Sequence, residues 1–392
     1  MHCTLLSPLV WDLAHIAAFE DLWISRSCGA APLRPELIAV YDADATPRAQ
    51  RGALPLLGVA AAYEFQREVR ERTLSLLAAA GDRLDGDFVE LVIRHEQQHN
   101  ETMLQALQLA HLPLAVASDA TACVGFGVHG DGLEPVAIEG CELTIGAGAS
   151  RGFAYDNERP CHRVELGPFQ IARTPVSNGA WRAFIEAGGY GRRDWWSPAG
   201  WSWLCETGVE RPAGWTDDGR CWRLDECVKL DPDEAVCHVC HYEAEAFARA
   251  HGARLPTELE WERCAGWQPR LGEATPYPWG DDEPTLGRAN IDVRAAGPLA
   301  AGGQRGGVSP DGVLGLIGDV WEWTASAFVG YPGFKAYPYR EYSEQFFGDR
   351  YRVLRGGSWA SRPSVAHATF RNWDLPQRRQ LFSGVRLAWD AA

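Results

Sequence analysis

The chain has 392 residues with 46% hydrophobic and 23% charged residues, a balance that suits a folded protein of about two domains and excludes disorder and collagen-like order. Its formal net charge of −15 argues against nucleic acid or an anionic membrane surface as partner. Lys229 and Lys335 are the only lysines among the 37 basic residues, so there is no polybasic tail.

The N-terminal stretch MHCTLLSPLVWDLAHIAAFEDLW lacks a basic leader and carries Asp12 and His15 within its apolar run, so it does not read as a signal peptide. No stretch approaches the ~18–20 apolar residues of a membrane span. Eleven cysteines without framework spacing are expected as reduced thiols in a cytoplasm.

Residues 5–25, 59–80 and 88–112 carry apolar side chains at three- and four-residue spacing, which predicts helices and a small bundle over residues 1–112. Residues 113–137 lose that period and read as a connector. From 138 to 392 short β-prone runs (CELTIGA, HRVELGPFQIA, YRVLRGG, GVRLAWD) alternate with Gly/Pro/Asp-rich loops, and helical stretches fall near 177–187 and 241–250. This second region reads as a loop-rich α+β domain stabilised by many small aromatic contacts.

His95 and His99 lie four apart on the predicted helix, so both imidazoles leave one face, as two ligands of one metal ion must. Glu101 falls about 200° round the helix from His99 and suits orientation of a ligand better than ligation. His15 interrupts an apolar stretch, where an imidazole needs a partner, and is the candidate third ligand; a core histidine bonded to a backbone carbonyl is the competing reading. Three neutral imidazoles suit Zn, Fe(II), Cu or Ni without choosing among them. The run Cys237-His238-Val239-Cys240-His241 matches the haem c attachment pattern, but it leads into an amphipathic helix without an axial ligand arrangement and is expected to be a buried strand-to-helix junction with free thiols.

SPLVWDLAHI together with HEQQHNE resembles the iron-binding helical domain of the ergothioneine-pathway sulfoxide synthases, a DinB-like bundle. DNERPCHRVELGPFQIARTPVSNGAWRAFIEAGGY, RLPTELEWE, YPWGDDEP, GLIGDVWEWTASAF, YRVLRGGSW and FRNWDLPQRRQ resemble the formylglycine-generating-enzyme (sulfatase-modifying factor) domain fused to it, in the same order along nearly the whole chain. The resemblance implies an α+β fold of two domains, a DinB-like bundle followed by a loop-rich C-type-lectin-like domain. It further implies a mononuclear non-haem Fe(II) enzyme that uses O2 to join a thiol sulfur to C2 of the imidazole of hercynine, forming a sulfoxide. A structural calcium in the second domain is left open.

Carried over residue by residue, the metal ligands fall on His15, His95 and His99, the set that spacing proposes. The catalytic tyrosine, proton donor to reduced oxygen, falls on Tyr339, and Tyr342 matches a second tyrosine lining the site. Arg48 and Arg51 in PRAQR match the paired arginines for the carboxylates of γ-glutamylcysteine, which suit bidentate guanidinium pairing, and Asp374 matches the acceptor of that donor's ammonium. Gln98, Asn372 and Trp373 match the contacts to hercynine, whose trimethylammonium favours aromatic faces. The site is then expected to draw on both domains, in a cytoplasmic monomer.

Formylglycine generation needs a cysteine pair after the G-G-S-aromatic motif, and Ser361 and Ala366 stand at those positions, so that activity is rejected. The same fold with another donor (cysteine, or a selenosugar as in the selenoneine synthases), a non-catalytic or lectin-like binding module, and a zinc hydrolase or thiol transferase remain as competitors. Family members carry a helix before SPLVWDLAHI, whereas fourteen residues precede His15 here; a native start upstream of Met1 is expected.

Overall fold

A computed structural model describes residues 5–81, 85–114, 130–148 and 152–391, so most of the expected connector lies outside the described residues. Internal contacts divide the chain into two compact units, Met1–Leu112 and Pro113–Ala392.

The first unit is helical: α1 (Leu9–Ser27), a short α2 (Pro35–Ile38), α3 (Val59–Ala80) and α4 (Gly86–Ala110), with a 3₁₀ turn at Arg48–Ala53. Trp11, Ala14, Ala17 and Ala18 recur on α1 at three- and four-residue spacing and pack with Tyr41 and with Ala62, Phe65 and Val69 of α3, which is how apolar periodicity becomes a core. α1 begins later than the periodicity suggests because Pro8 disfavours a helical Ser7 and caps the helix itself. Asp12, His15, Glu20 and Asp21 are buried on α1, and buried charge demands partners. Glu20 takes Arg70 at 3.0 Å, and Asp21 accepts the backbone N–H groups of Leu33 and Arg34 at 2.8 and 3.1 Å. The side chain of Asp85 caps α4 by accepting from the N–H of Asp87.

The second unit combines short strands and helices. β1 (Pro135–Ile138), β4 (Phe169–Ala172) and β13 (Ala388–Asp390) form one sheet; β2 (Cys141–Ile145) and β3 (His162–Leu166), β5 (Arg220–Arg223) and β6 (Glu226–Lys229), and β7 (Trp267–Gln268) and β8 (Glu273–Ala274) form antiparallel pairs. The sheet that matters most for the candidate residues runs β11 (Asn372–Asp374), β10 (Gly348–Arg355), β9 (Trp321–Phe328), β12 (Ser383–Gly384). Of the helices α5 (Asn178–Glu186), α6 (Pro198–Thr207), α7 (His241–Ala250) and α8 (Glu258–Gly266), α7 and α8 pack against the strand β9, and α5 and α6 pack against α7. Of these, α6 and α8 escape apolar periodicity, although each begins with a cap: Ser197 before Pro198, and Thr257 in a reciprocal capping box with Glu260.

Three guanidinium groups lie in the interior of this unit, each with a carboxylate. Arg386 meets Glu322 at 2.7 Å, Arg371 meets Glu258 at 2.7 Å, and Arg355 pairs with Glu262. The indole N–H of Trp261 also donates to Glu322 at 2.7 Å. Such a network tolerates burial only because each charge is matched, so removal of one member is more damaging than the pair's net worth suggests. Cys237 and Cys240 are free thiols at the junction that leads into α7, and burial pushes both thiols up in pKa, which makes them inert.

Candidate active site

α1 and α4 pack against one another in the first unit and bring three imidazoles together. Nε2 of His15 lies 3.1 Å from Nε2 of His95, and one ring nitrogen from each of His15, His95 and His99 falls within 4.8 Å of the others. This is the one cluster among the described residues in which three or more His, Cys, Asp or Glu side chains could share an ion. Two ligands each about 2.1 Å from one metal sit about 3.0 Å apart at a right angle and about 3.4 Å apart at the tetrahedral angle, so the 3.1 Å between His15 and His95 fits a shared ion.

The orientation of each ring follows from its other contacts. Nδ1 of His15 lies 2.6 Å from the carbonyl oxygen of Tyr41; because a carbonyl only accepts, Nδ1 carries the proton and Nε2 presents its lone pair. Nδ1 of His99 lies 3.0 Å from Oδ1 of Asp12, the carboxylate–imidazole arrangement that fixes a ligand's tautomer and raises its basicity. His15 stacks on Trp11 with ring centroids 4.5 Å apart, and His95 stacks on Phe19 at 3.6 Å. Nδ1 of His95 is buried without a partner. Burial holds the pKa of both His15 and His95 well below the ordinary value, with the neighbouring imidazoles adding to the effect, so both rings stay neutral and able to ligate.

Asp12 and the carbonyl of Tyr41 are functional groups that motif spacing does not single out. The signal for Asp12 was its position three residues before His15 on the same helix face. Glu101, expected to orient a ligand, is buried on α4, but the orienting bonds to His15 and His99 come from Tyr41 and Asp12.

The two arginines of the 3₁₀ turn differ sharply. Arg48 is exposed. Arg51 is buried, and its guanidinium lies 3.6 Å above the Trp11 ring. It donates to the carbonyl of Thr46 at 2.8 Å, the hydroxyl of Ser7 at 2.7 Å and the carbonyl of Ala43 at 3.2 Å. Desolvation, with Arg48 nearby, lowers its pKa to about 10. Arg51 is therefore not the open fork that the PRAQR spacing suggests: three of its N–H groups are committed to the protein, and it braces Trp11 behind His15. Gln98 lies on α4 next to His99, half-buried.

In the second unit the candidate residues form their own group. β11 is the edge strand that pairs with β10, with Arg352 opposite Asp374, Val353 opposite Trp373 and Leu354 opposite Asn372. Trp373 stacks on Phe328 at 4.1 Å and meets Tyr342 edge-on at 5.8 Å; Tyr342 in turn meets Tyr339 edge-on at 6.2 Å. Tyr339, Tyr342 and Trp373 are thus one aromatic cluster. The carboxylate of Asp374 accepts the N–H of Leu375 at 2.7 Å and faces Arg378 at 3.6 Å.

The loop that carries both tyrosines is tied down by the DNE turn. Asp156 accepts the hydroxyl of Ser343 and the N–H of Tyr337, Asn157 donates to Ser343 at 3.0 Å, and Tyr155 stacks on Tyr342 at 4.4 Å. Burial raises the Asp156 carboxyl to about 6. These anchors were hidden in a motif legible only as a resemblance.

Residues 129–391 match the family model described as sulfatase-modifying factor enzyme 1-like domain. The chain is 46% identical to a hercynine oxygenase of Mycolicibacterium thermoresistibile across 98% of this chain and 88% of that protein. It is 44% identical to a hercynine oxygenase of Mycobacterium tuberculosis across 98% and 92%. Against the formylglycine-generating enzyme of Streptomyces coelicolor identity is 30%, covering 65% of this chain and 89% of that one. With similarity to the first two relatives running through the helical unit and the sulfatase-modifying-factor domain alike, the chain belongs to the hercynine oxygenase family.

Proposed function

We propose that the chain is a mononuclear non-haem Fe(II), O2-dependent sulfoxide synthase that joins the thiol sulfur of γ-glutamylcysteine to the imidazole C2 of hercynine. The observation that carries this reading is the convergence of His15, His95 and His99 in a chain so similar to hercynine oxygenases. The balance is one C–H and one S–H bond lost, one C–S bond made, one oxygen atom of O2 kept on sulfur and the other released as water. The first unit, on this reading, is a DinB-like bundle.

His15, His95 and His99 would hold the metal; Fe(II), when bound, supplies electrons to O2 and open positions for the reactants. Asp12 and the Tyr41 carbonyl keep the His99 and His15 rings in the ligating tautomer. Tyr339 supplies a proton to reduced oxygen, and Tyr342 lines the same aromatic cluster. Asn372, Trp373 and Gln98 hold hercynine, whose quaternary ammonium favours an indole face. Arg48 takes a carboxylate of the thiol donor, and Asp374 takes its ammonium. Arg51 acts behind them through Trp11.

The test is anaerobic loading with Fe(II), then O2, hercynine and a panel of thiol and selenol donors, with products read by mass. The expected product is the γ-glutamylcysteine sulfoxide conjugate. Absence of any C–S or C–Se product would overturn the assignment, and preference for a selenosugar would move the donor. Tyr339→Phe should divert turnover toward simple thiol oxidation; unchanged C–S bond formation would remove Tyr339 from its role.

A further inference from the structure

Two of the three imidazoles owe their orientation to a hydrogen bond, and the third does not. His15 donates from Nδ1 to the carbonyl of Tyr41, and Nδ1 of His99 faces Oδ1 of Asp12. His95 turns Nε2 toward His15 at 3.1 Å, which leaves its other nitrogen, Nδ1, to carry the ring proton. That Nδ1 is buried and has no hydrogen-bond partner among the described residues. A ligating imidazole ordinarily gives its second N–H to a carboxylate or a carbonyl, which fixes the ring and raises its basicity. His95 departs from that pattern.

What holds the His95 ring is an aromatic face. The Phe19 ring lies 3.6 Å from it, centroid to centroid, with 9° between the planes. At that separation the two rings are in van der Waals contact, so a twist of the imidazole drives its edge into the phenyl ring. Metal coordination draws electron density from an imidazole and leaves the ring partly positive, and a partly positive ring is attracted to the negative face of a phenyl group. The stack and the metal bond thus reinforce one another. The placement comes from the sequence of α1. Asp12, His15 and Phe19 recur there at three- and four-residue spacing and share one face, and Asp12 reaches His99 while Phe19 reaches His95.

We propose that Phe19 is a positioning residue for the metal site: its ring face sets the orientation of His95 in place of a hydrogen bond. The assignment rests on the proposed reading of the three histidines as a metal site. A phenyl face takes no hydrogen bond of carboxylate strength from Nδ1, so His95 is the least basic of the three ligands. Asp12, the Tyr41 carbonyl and Phe19 form the orienting set, one group for each imidazole, and both side chains of that set come from α1.

The experiment loads the full-length protein with Zn(II), a diamagnetic probe of the same ligands. Affinity is followed by competition titration and the histidine ring nitrogens by heteronuclear NMR, without turnover. In wild type the ring N–H protons of His15 and His99 should resonate downfield, as hydrogen-bonded protons do, and that of His95 upfield of both. Phe19→Leu keeps an apolar side chain and removes the flat face. It should weaken Zn(II) binding by about threefold or more and shift or broaden the His95 signals, while those of His15 and His99 stay in place. Phe19→Tyr keeps the face and should keep both affinity and signals. A His95 N–H at a hydrogen-bonded shift in wild type would overturn the proposal without any variant. So would unmoved His95 signals in Phe19→Leu, equal movement of all three histidines, or loss of affinity in Phe19→Tyr. Wild-type protein that takes up no Zn(II) would instead overturn the three-histidine site on which the proposal stands.

Discussion

Oδ1 of Asp12 lies 3.0 Å from Nδ1 of His99, linking residues 87 positions apart across the α1–α4 packing. The bond fixes which nitrogen of His99 is free to ligate, and Asp12 is 1% exposed, so no water can substitute for it cheaply. Asp12→Ala should therefore lower Fe(II) affinity by about 10–100-fold, the usual cost of losing a carboxylate that orients a ligating imidazole. Anaerobic metal titration checks this, and unchanged affinity would show that the carboxylate does not support the site.

How much of this could be read beforehand follows from the physics of each signal. The His95/His99 pair was legible because helical periodicity is a local property, and His15 because an imidazole in an apolar run is out of place. Asp12 sat in the same run but was not singled out, because its partner lies on another helix and only tertiary packing reveals it. Arg51 shows a related limit: spacing places two guanidinium groups in one turn, and only the fold reveals that one of them is buried against Trp11 and bonded to the protein. Helix α8 was missed because its residues are buried on nearly every side, which erases the amphipathic period. Its capping box was the surviving clue.

The unequal burial of the two arginines makes opposite predictions. Arg51→Gln removes three hydrogen bonds and the cation over Trp11 and should destabilise the first unit by roughly 2–4 kcal/mol. Arg48→Gln, at an exposed position, should change stability by no more than about 0.5 kcal/mol while it raises KM for the thiol more than for hercynine. Thermal unfolding and two-substrate kinetics measure both. Wild-type stability in Arg51→Gln would mean that its buried contacts contribute nothing.

Asp156 holds Ser343 and the N–H of Tyr337, and so fixes the ends of the segment that presents Tyr339 and Tyr342. Asp156→Ala should lower kcat by about tenfold or more through lost positioning of Tyr339, with Fe(II) affinity unchanged because the histidines belong to the other unit. Asp156→Asn keeps one acceptor oxygen and should recover part of the loss. Equal kcat in wild type and Asp156→Ala would show that the loop holds its shape without this anchor.

Asp319 is 1% exposed, and burial raises its carboxyl to about 7, above the value of about 3.9 expected in the unfolded chain. A carboxyl raised on folding stabilises fully below the unfolded pKa, and that contribution is lost as pH rises through the folded value. Its two donors, Nδ2 of Asn290 at 2.7 Å and the N–H of Leu299 at 2.9 Å, both address Oδ1, so an asparagine oxygen can accept both. Asparagine also tolerates the backbone φ of +58° at this position. Asp319→Asn should therefore gain stability relative to wild type as pH rises from 5 to 8, by roughly 1–3 kcal/mol across that window. Chemical denaturation of both proteins at the two pH values reads the difference directly. A stability difference that stays constant between them would mean that Asp319 does not titrate in this range.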